Sequence, residues 1–160
     1  MLKNFSPRPY QLDIFKATTN YNTLVVLPTG LGKTAIAMMV ASRRLLSYPN
    51  SKILFLAPTK PLVEQQLKAF KEGFLYPEKD FVLFTGSVPP LKRQALWNDA
   101  RIIFSTPQTI ENDVLSNKIS LENVSLLVVD EAHRATGDYA YVFLTKNYLT
   151  NAIHPRVMAL

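Results

Sequence analysis

The chain has 160 residues, 48% hydrophobic and 19% charged, which is enough for one domain with a real core and lies outside the disordered range. It has no Cys, and its only His are His133 and His154, so disulfides and thiolate metal sites are excluded and a His-based zinc site would need carboxylate help. The net charge of +6 favours a polyanionic partner, chiefly nucleic acid, although an ordinary basic surface gives the same sum and no Lys/Arg block exceeds the pairs Arg43-Arg44 and Lys92-Arg93.

The N-terminal MLKNFSPRPYQ lacks an apolar signal region, and no uncharged apolar run approaches membrane length, so a soluble cytoplasmic protein is expected. Apolar, β-branched runs then recur: TLVVL (23–27), KILFLA (52–57), FVLF (81–84), RIIF (101–104), SLLVV (125–129) and RVMAL (156–160). Each is apolar almost throughout, as suits strands buried on both faces of a parallel sheet. Between them, residues 34–47 are rich in Ala, Met and Leu, residues 61–72 open with Pro61 and close at Gly73, and Thr106 caps a helix over 107–116. Alternating strands and helices predict one doubly wound α/β domain over 1–160, with a mostly parallel sheet and helices on both faces. In such a sheet ligands bind at loops leaving the carboxyl ends of the strands, so residues carrying chemistry should follow the apolar runs directly.

They do so first at LPTGLGKT (27–34). After the first run, Pro28-Thr29-Gly30-Leu31-Gly32 reads as a loop and Lys33-Thr34 as a helix start. Gly30 and Gly32 let backbone N–H groups turn toward phosphates, and the helix N-terminus adds partial positive charge. Lys33 would reach the β- and γ-phosphates of a nucleotide, and the Thr34 hydroxyl would hold Mg²⁺. Leu27 stands where a strict phosphate-loop pattern opens with Gly, but the later Gly and the Lys-Thr pair are the physically demanding positions. At SLLVVDEAHR (125–134), Asp130 and Glu131 end a buried run. Asp130 is read as the metal-side acid and Glu131 as the group that orients the attacking water. An N-cap would explain Asp130 alone, but not the pair with His133.

LPTGLGKT together with DEAH resembles the superfamily 2 helicases and translocases, specifically their first RecA-like, P-loop NTPase domain. The wording LPTGLGKTAIA, TGSVPP and DEAHRATGDYAY is most similar to the archaeal Hef and eukaryotic FANCM group of fork-processing DNA translocases. Antiviral RNA sensors and Dicer share the GLGKT loop, but they usually carry Cys where this chain has Ala132. The resemblance implies ATP as ligand. RPYQ (8–11) corresponds to an adenine-recognising segment in which Gln11 reads the base edge and Arg8 lies against the ring. His133 would relay nucleotide state toward nucleic acid. The resemblance also places Thr59-Lys60 in APTKPLVEQQ, Thr85-Gly86 in TGS and Thr106-Pro107-Gln108 in STPQT on the nucleic-acid side. Taken singly, each of these loops is better explained by helix capping and turn chemistry. Together on one sheet edge they can bind phosphates without reading bases.

In that family a further motif and a second RecA-like domain with an arginine finger follow. The chain is therefore expected to be the N-terminal part of a longer enzyme, weak in nucleotide binding and inactive in unwinding alone. DNA is the favoured nucleic acid, forked or branched. The alternatives are an RNA helicase or double-stranded RNA translocase of the same superfamily and a non-catalytic nucleic-acid-binding module, whose signature would be loss of Lys33 or Glu131. Backbone contacts distinguish DNA from RNA only where a 2′-OH is read. A GTPase would need a guanine-reading Asn/Thr-Lys-x-Asp tetrapeptide, which is absent: Thr145-Lys146-Asn147 is followed by Tyr148. A small-molecule kinase would need acceptor-binding and lid segments.

Overall fold

The computed structural model describes every residue except Met1, Asn4, Thr136 and Asp138, so Thr136 and Asp138 of the DEAHRATGDYAY stretch lie outside the described residues. In chain order the elements are α1 (Pro9–Asn20), β1 (Thr23–Leu24), α2 (Lys33–Ser47), β2 (Lys52–Leu56), α3 (Lys60–Gly73), β3 (Phe81–Phe84), α4 (Pro90–Asp99), β4 (Ile102–Ser105), α5 (Pro107–Leu115), β5 (Val124–Val129), α6 (Tyr139–Asn151) and β6 (Val157–Ala159). The strands form one sheet in the order β1-β6-β5-β2-β4-β3, and every pairing is parallel.

The near-continuous apolar runs are explained by this packing. All six residues of β5 and all four of β4 are buried, because both faces of the central strands are covered. Alternation then splits the core into two layers. Ile53, Phe55, Leu126 and Val128 face α2 and α3, meeting Ile36, Val40, Val63 and Phe70. Leu54, Leu56, Leu127 and Val129 face the other way, toward Trp97 of α4, Ile110 of α5 and Leu144 of α6. In the first layer Phe55, Phe70 and Phe104 pack with ring centroids 5.2–5.7 Å apart, partly edge-to-face.

Every expected run but FVLF shifts at its ends, and two of the shifts have a local cause. Only Thr23 and Leu24 of the first run pair as strand, since β1 lies at the sheet edge against the three-residue β6 and the chain then leaves for the next loop; Val26 is exposed. The fourth strand runs one residue later than RIIF, because Ser105 pairs with both Leu56 and Phe84 while the Arg101 N–H bonds Asp80 O outside the ladder. Helices α1, α4 and α6 were not foreseen. α1 and α4 bury only two residues each, Gln11 with Thr18 and Arg93 with Trp97, so no apolar stripe marks them. No helix among the described residues is long and apolar enough to cross a membrane.

One buried ion pair ties the second layer together. Arg93 on α4 donates from Nε and Nη2 to the two carboxylate oxygens of Asp113 on α5, each at 2.6 Å, and also to the Val88 carbonyl. Both side chains are almost fully buried. Removing one partner strands the other charge, whereas replacing both can be tolerated. Arg93→Met should therefore cost about 3–5 kcal/mol in urea denaturation, and the double variant Arg93→Met/Asp113→Leu should regain most of it.

Candidate functional site

Because the strands are all parallel, their carboxyl ends share one edge, and the strand order divides it. β1 and β5, with β6 between them, deliver residues 25–34 and 130–134 to one half. β2, β4 and β3 deliver residues 57–60, 105–109 and 85–88 to the other. A cleft of about 280 Å³ between Tyr48, Ser51, Ser125 and His154 lies at the opposite edge, by the amino ends of β2 and β5, and gathers none of the candidate site residues.

In the first half, the Val25 N–H still bonds Ala159 O at 2.8 Å, and the chain then turns through Pro28 and Thr29, both exposed. Gly30 and Gly32 take φ of +83° and +80°, a conformation that side chains rarely adopt. Gly32 caps α2 with no side-chain cap, and no acidic residue occupies the first turn, so no side chain of this helix fills its partly positive end. A Cβ on Gly32 would sit 2.4 Å from Gln11 Nε2, so glycine there admits both the turn and the close approach of α1. That approach is built by hydrogen bonds. Tyr10 Oη donates to Leu31 O at 2.8 Å, Gln11 Nε2 donates to the same carbonyl at 3.4 Å, and Gln11 Oε1 accepts the Arg8 N–H at 2.9 Å. The structure thus brings RPYQ against the Gly-rich loop, with Gln11 buried and Arg8 exposed.

Across from the loop, Thr34 Oγ1 donates to Gln66 Oε1 at 3.0 Å, and Gln66 Nε2 donates to Asp130 Oδ2 at 3.1 Å. Asp130 Oδ1 accepts the Glu131 N–H at 3.0 Å, and Glu131 Oε2 lies 3.1 Å from Nε2 of the exposed His133. Thr34, Asp130, Glu131 and His133 are therefore members of one polar chain. Burial pushes the Asp130 carboxyl above its ordinary value, and the charge of Glu131 adds to this. The Glu131 N–H, the Gln66 amide and the Lys33 ammonium act in the opposite direction. Glu131 itself has φ +54°, a left-handed conformation costing a non-glycine residue about 1–2 kcal/mol. Tyr10 and Gln66 are the members that sequence reasoning missed. Nothing local marks Tyr10, and Gln66 lies in a stretch assigned to the other half.

On that other half the three loops are tied to one another. The Ala57 N–H bonds Ser105 O at 3.1 Å, and Ser105 Oγ donates to Phe84 O at 3.1 Å. Thr85 is buried, shares a 2.7 Å hydrogen bond with Ser87 Oγ, and closes a turn through Val88. Thr106 Oγ1 bonds Thr109 Oγ1 at 3.0 Å, and Pro107 is buried. Thr59, Lys60, Gly86 and Gln108 are exposed, with Lys60 3.7 Å from Glu64. Thr85, Thr106 and Pro107 shape the loops, and the exposed four are what a ligand along this edge would meet.

The burial of Asp130 has a stability consequence. An acid whose folded-state value is raised destabilises the fold where it is ionised, so the cost is present above that raised value and vanishes as pH falls through the carboxylate range. Asp130→Asn should raise stability at pH 7 by about 1 kcal/mol in chemical denaturation, with the gain shrinking toward acid pH.

With this geometry in view, the pattern of the family described as DEAD/DEAH box helicase matches residues 8–158. The chain is 42% identical over 98% of its length to a Drosophila melanogaster protein named DEAD-box ATP-dependent DNA helicase Fancm, covering 11% of that protein. It is 41% identical over 96% of its length to an Arabidopsis thaliana protein named DEAD-box ATP-dependent RNA helicase FANCM, again covering 11%. The solved Hef helicase domain of Pyrococcus furiosus superposes with a TM-score of 0.93 at 52% identity, over 96% of this chain and 33% of that one. The chain thus spans about a tenth of these curated relatives and a third of the solved domain. Its fold is that of the RecA-like domain expected from LPTGLGKT and DEAH, and the chain belongs to the DEAD/DEAH box helicase family.

Proposed function

We propose that this chain is the ATP-binding and ATP-hydrolysing motor domain of a superfamily 2 DNA helicase or translocase acting on forked or branched DNA in repair. The observation that carries the reading is the hydrogen-bonded path from Thr34 through Gln66 to Asp130 and Glu131, which sets a Gly-rich loop opposite an acidic pair. The printed names of the relatives supply ATP dependence and, for the fly protein, DNA.

In this reading Pro28, Thr29, Gly30, Leu31 and Gly32 form the cradle, and Lys33 holds the β- and γ-phosphates. Gln11 uses one amide hydrogen and one carbonyl lone pair internally, which leaves one donor and one acceptor for the adenine edge beside Arg8. The donor set fits Mg²⁺, since the Thr34 hydroxyl and Asp130 carboxylate are hard oxygen donors on opposite sides of one gap. The bound ion would neutralise charge on the transferring phosphoryl group. Glu131 holds the attacking water in line, and His133, paired with Glu131, passes the nucleotide state toward Thr59, Lys60, Thr85, Gly86, Thr106, Pro107 and Gln108 on the nucleic-acid half. A second RecA-like domain closes the cleft and supplies an arginine finger, a contribution of about 10³–10⁵ in rate. Residues 1–160 alone then bind nucleotide weakly and turn it over slowly.

Calorimetry with Mg²⁺ and ATP, ADP or GTP tests the site. Adenine nucleotides should bind in preference to GTP, and Lys33→Ala should weaken binding at least ~10-fold, the scale of a lost charged hydrogen bond. Equal binding of GTP, or an unaffected variant, would contradict the reading. In the longer protein, Glu131→Gln should keep nucleotide binding while hydrolysis falls by about 10²–10⁴. Forked DNA should stimulate that hydrolysis more than duplex RNA; the reverse order would move the substrate to the RNA named for the Arabidopsis relative.

A further inference from the structure

Gln66 lies on α3, two turns beyond the loop that begins the nucleic-acid half, yet its side chain points the other way, into the gap between Thr34 and Asp130. The two ends of a carboxamide differ, and both are used. Oε1 accepts the Thr34 hydroxyl proton at 3.0 Å, and Nε2 donates to Asp130 Oδ2 at 3.1 Å. In the orientation shown the two bonds run in opposite senses, Thr34 donating to the amide and the amide donating to Asp130. The consequence for Thr34 is specific. A hydroxyl that has given its only proton to Gln66 keeps its lone pairs for another partner. Asp130, held at Oδ1 by the Glu131 N–H and at Oδ2 by Gln66, keeps a fixed orientation with lone pairs remaining on each oxygen.

We propose that Gln66 is a positioning residue for metal binding: it orients the Thr34 hydroxyl and the Asp130 carboxylate so that both present lone pairs to a divalent cation carried in with the nucleotide. This rests on the ATP-binding reading above. Outer partners of this kind set ligand direction, and their loss commonly lowers metal affinity by 10–100-fold. Leucine at position 66 keeps the bulk of the side chain and supplies neither bond. It frees the Thr34 hydroxyl to rotate and leaves the buried Asp130 without one of its donors. Gln66 is only half-buried, so the substitution does not open the core.

The experiment measures ATP affinity by calorimetry with Mg²⁺ and with EDTA, on wild type, Gln66→Leu and Gln66→Ala, and follows Mn²⁺ binding by electron paramagnetic resonance in the presence of ADP. The expected result is a loss of ~10-fold or more in the Mg²⁺-dependent part of ATP affinity and in Mn²⁺ affinity, with Mg²⁺-free ATP affinity unchanged. A merely structural role would lower both ATP affinities together and would overturn the proposal. Unchanged or tighter metal-dependent binding would also overturn it, the latter marking Gln66 as a group that the cation must displace. Gln66→Ala gives the same comparison should the leucine variant fail to fold. Failure of wild type to bind ATP at all would remove the nucleotide reading itself, whereas wild-type binding with an unaltered Gln66→Leu profile removes only the role of Gln66.

Discussion

Parallel pairing is the constraint on which the rest depends. Six parallel strands cannot be joined by hairpins, so every connection must cross a sheet face and return, and every strand exits at the same edge. Five of the six strand exits carry the residues discussed here, while the covered faces do the folding. The order β1-β6-β5-β2-β4-β3 adds the second element of design: it places the Gly-rich loop and the acidic pair on one half of the edge and three Thr-bearing loops on the other. The two halves meet where the Asp130 N–H bonds Leu56 O at 2.8 Å, at the junction of β5 and β2. Gln66 spans the same boundary through a side chain, since it sits on the helix that follows β2 and reaches the acid that follows β5.

The site is held together at a cost to the fold. Burial pushes the Asp130 carboxyl above its ordinary value, Glu131 sits in left-handed backbone, and the first turn of α2 carries no acidic side chain to complement its dipole. Each feature costs stability that an alternative residue would not. Their coincidence within one polar chain is a stronger indication of function than any of them separately. The partners that make it tolerable are local: one backbone N–H, one carboxamide and one ammonium oppose the burial of Asp130.

Much of this was legible in the sequence, for reasons that differ by element. The β5 run was readable because a strand covered on both faces must be apolar at every position, and Asp130-Glu131 stood out by breaking that run. The turn at Gly30 and Gly32 was readable because glycines just before a helix start suit left-handed backbone, which both adopt. α1 and α4 were hidden because the residues they bury, Gln11, Thr18, Arg93 and Trp97, are mostly polar, while Ile14, Phe15 and Leu96 pack on the core only in part. α6 was different: Tyr141, Leu144 and Tyr148 have helical spacing and are buried, so the signal was present but masked by apolar residues all round. Gln66 could not have been found from its neighbours. Its role depends on Asp130, 64 positions away, and only the β5–β2 pairing brings them together.

In this reading nucleotide and metal meet the protein along the β1-β6-β5 half of the carboxyl edge. Backbone amide chemical shifts of the ¹⁵N-labelled protein, followed through a titration with Mg²⁺ and a non-hydrolysable ATP analogue, would locate both ligands. Saturable shifts are expected at residues 28–34, at 130–133, at the RPYQ start of α1 and around Gln66. Shifts centred instead on the cleft between Tyr48, Ser51, Ser125 and His154 at the opposite edge would contradict it.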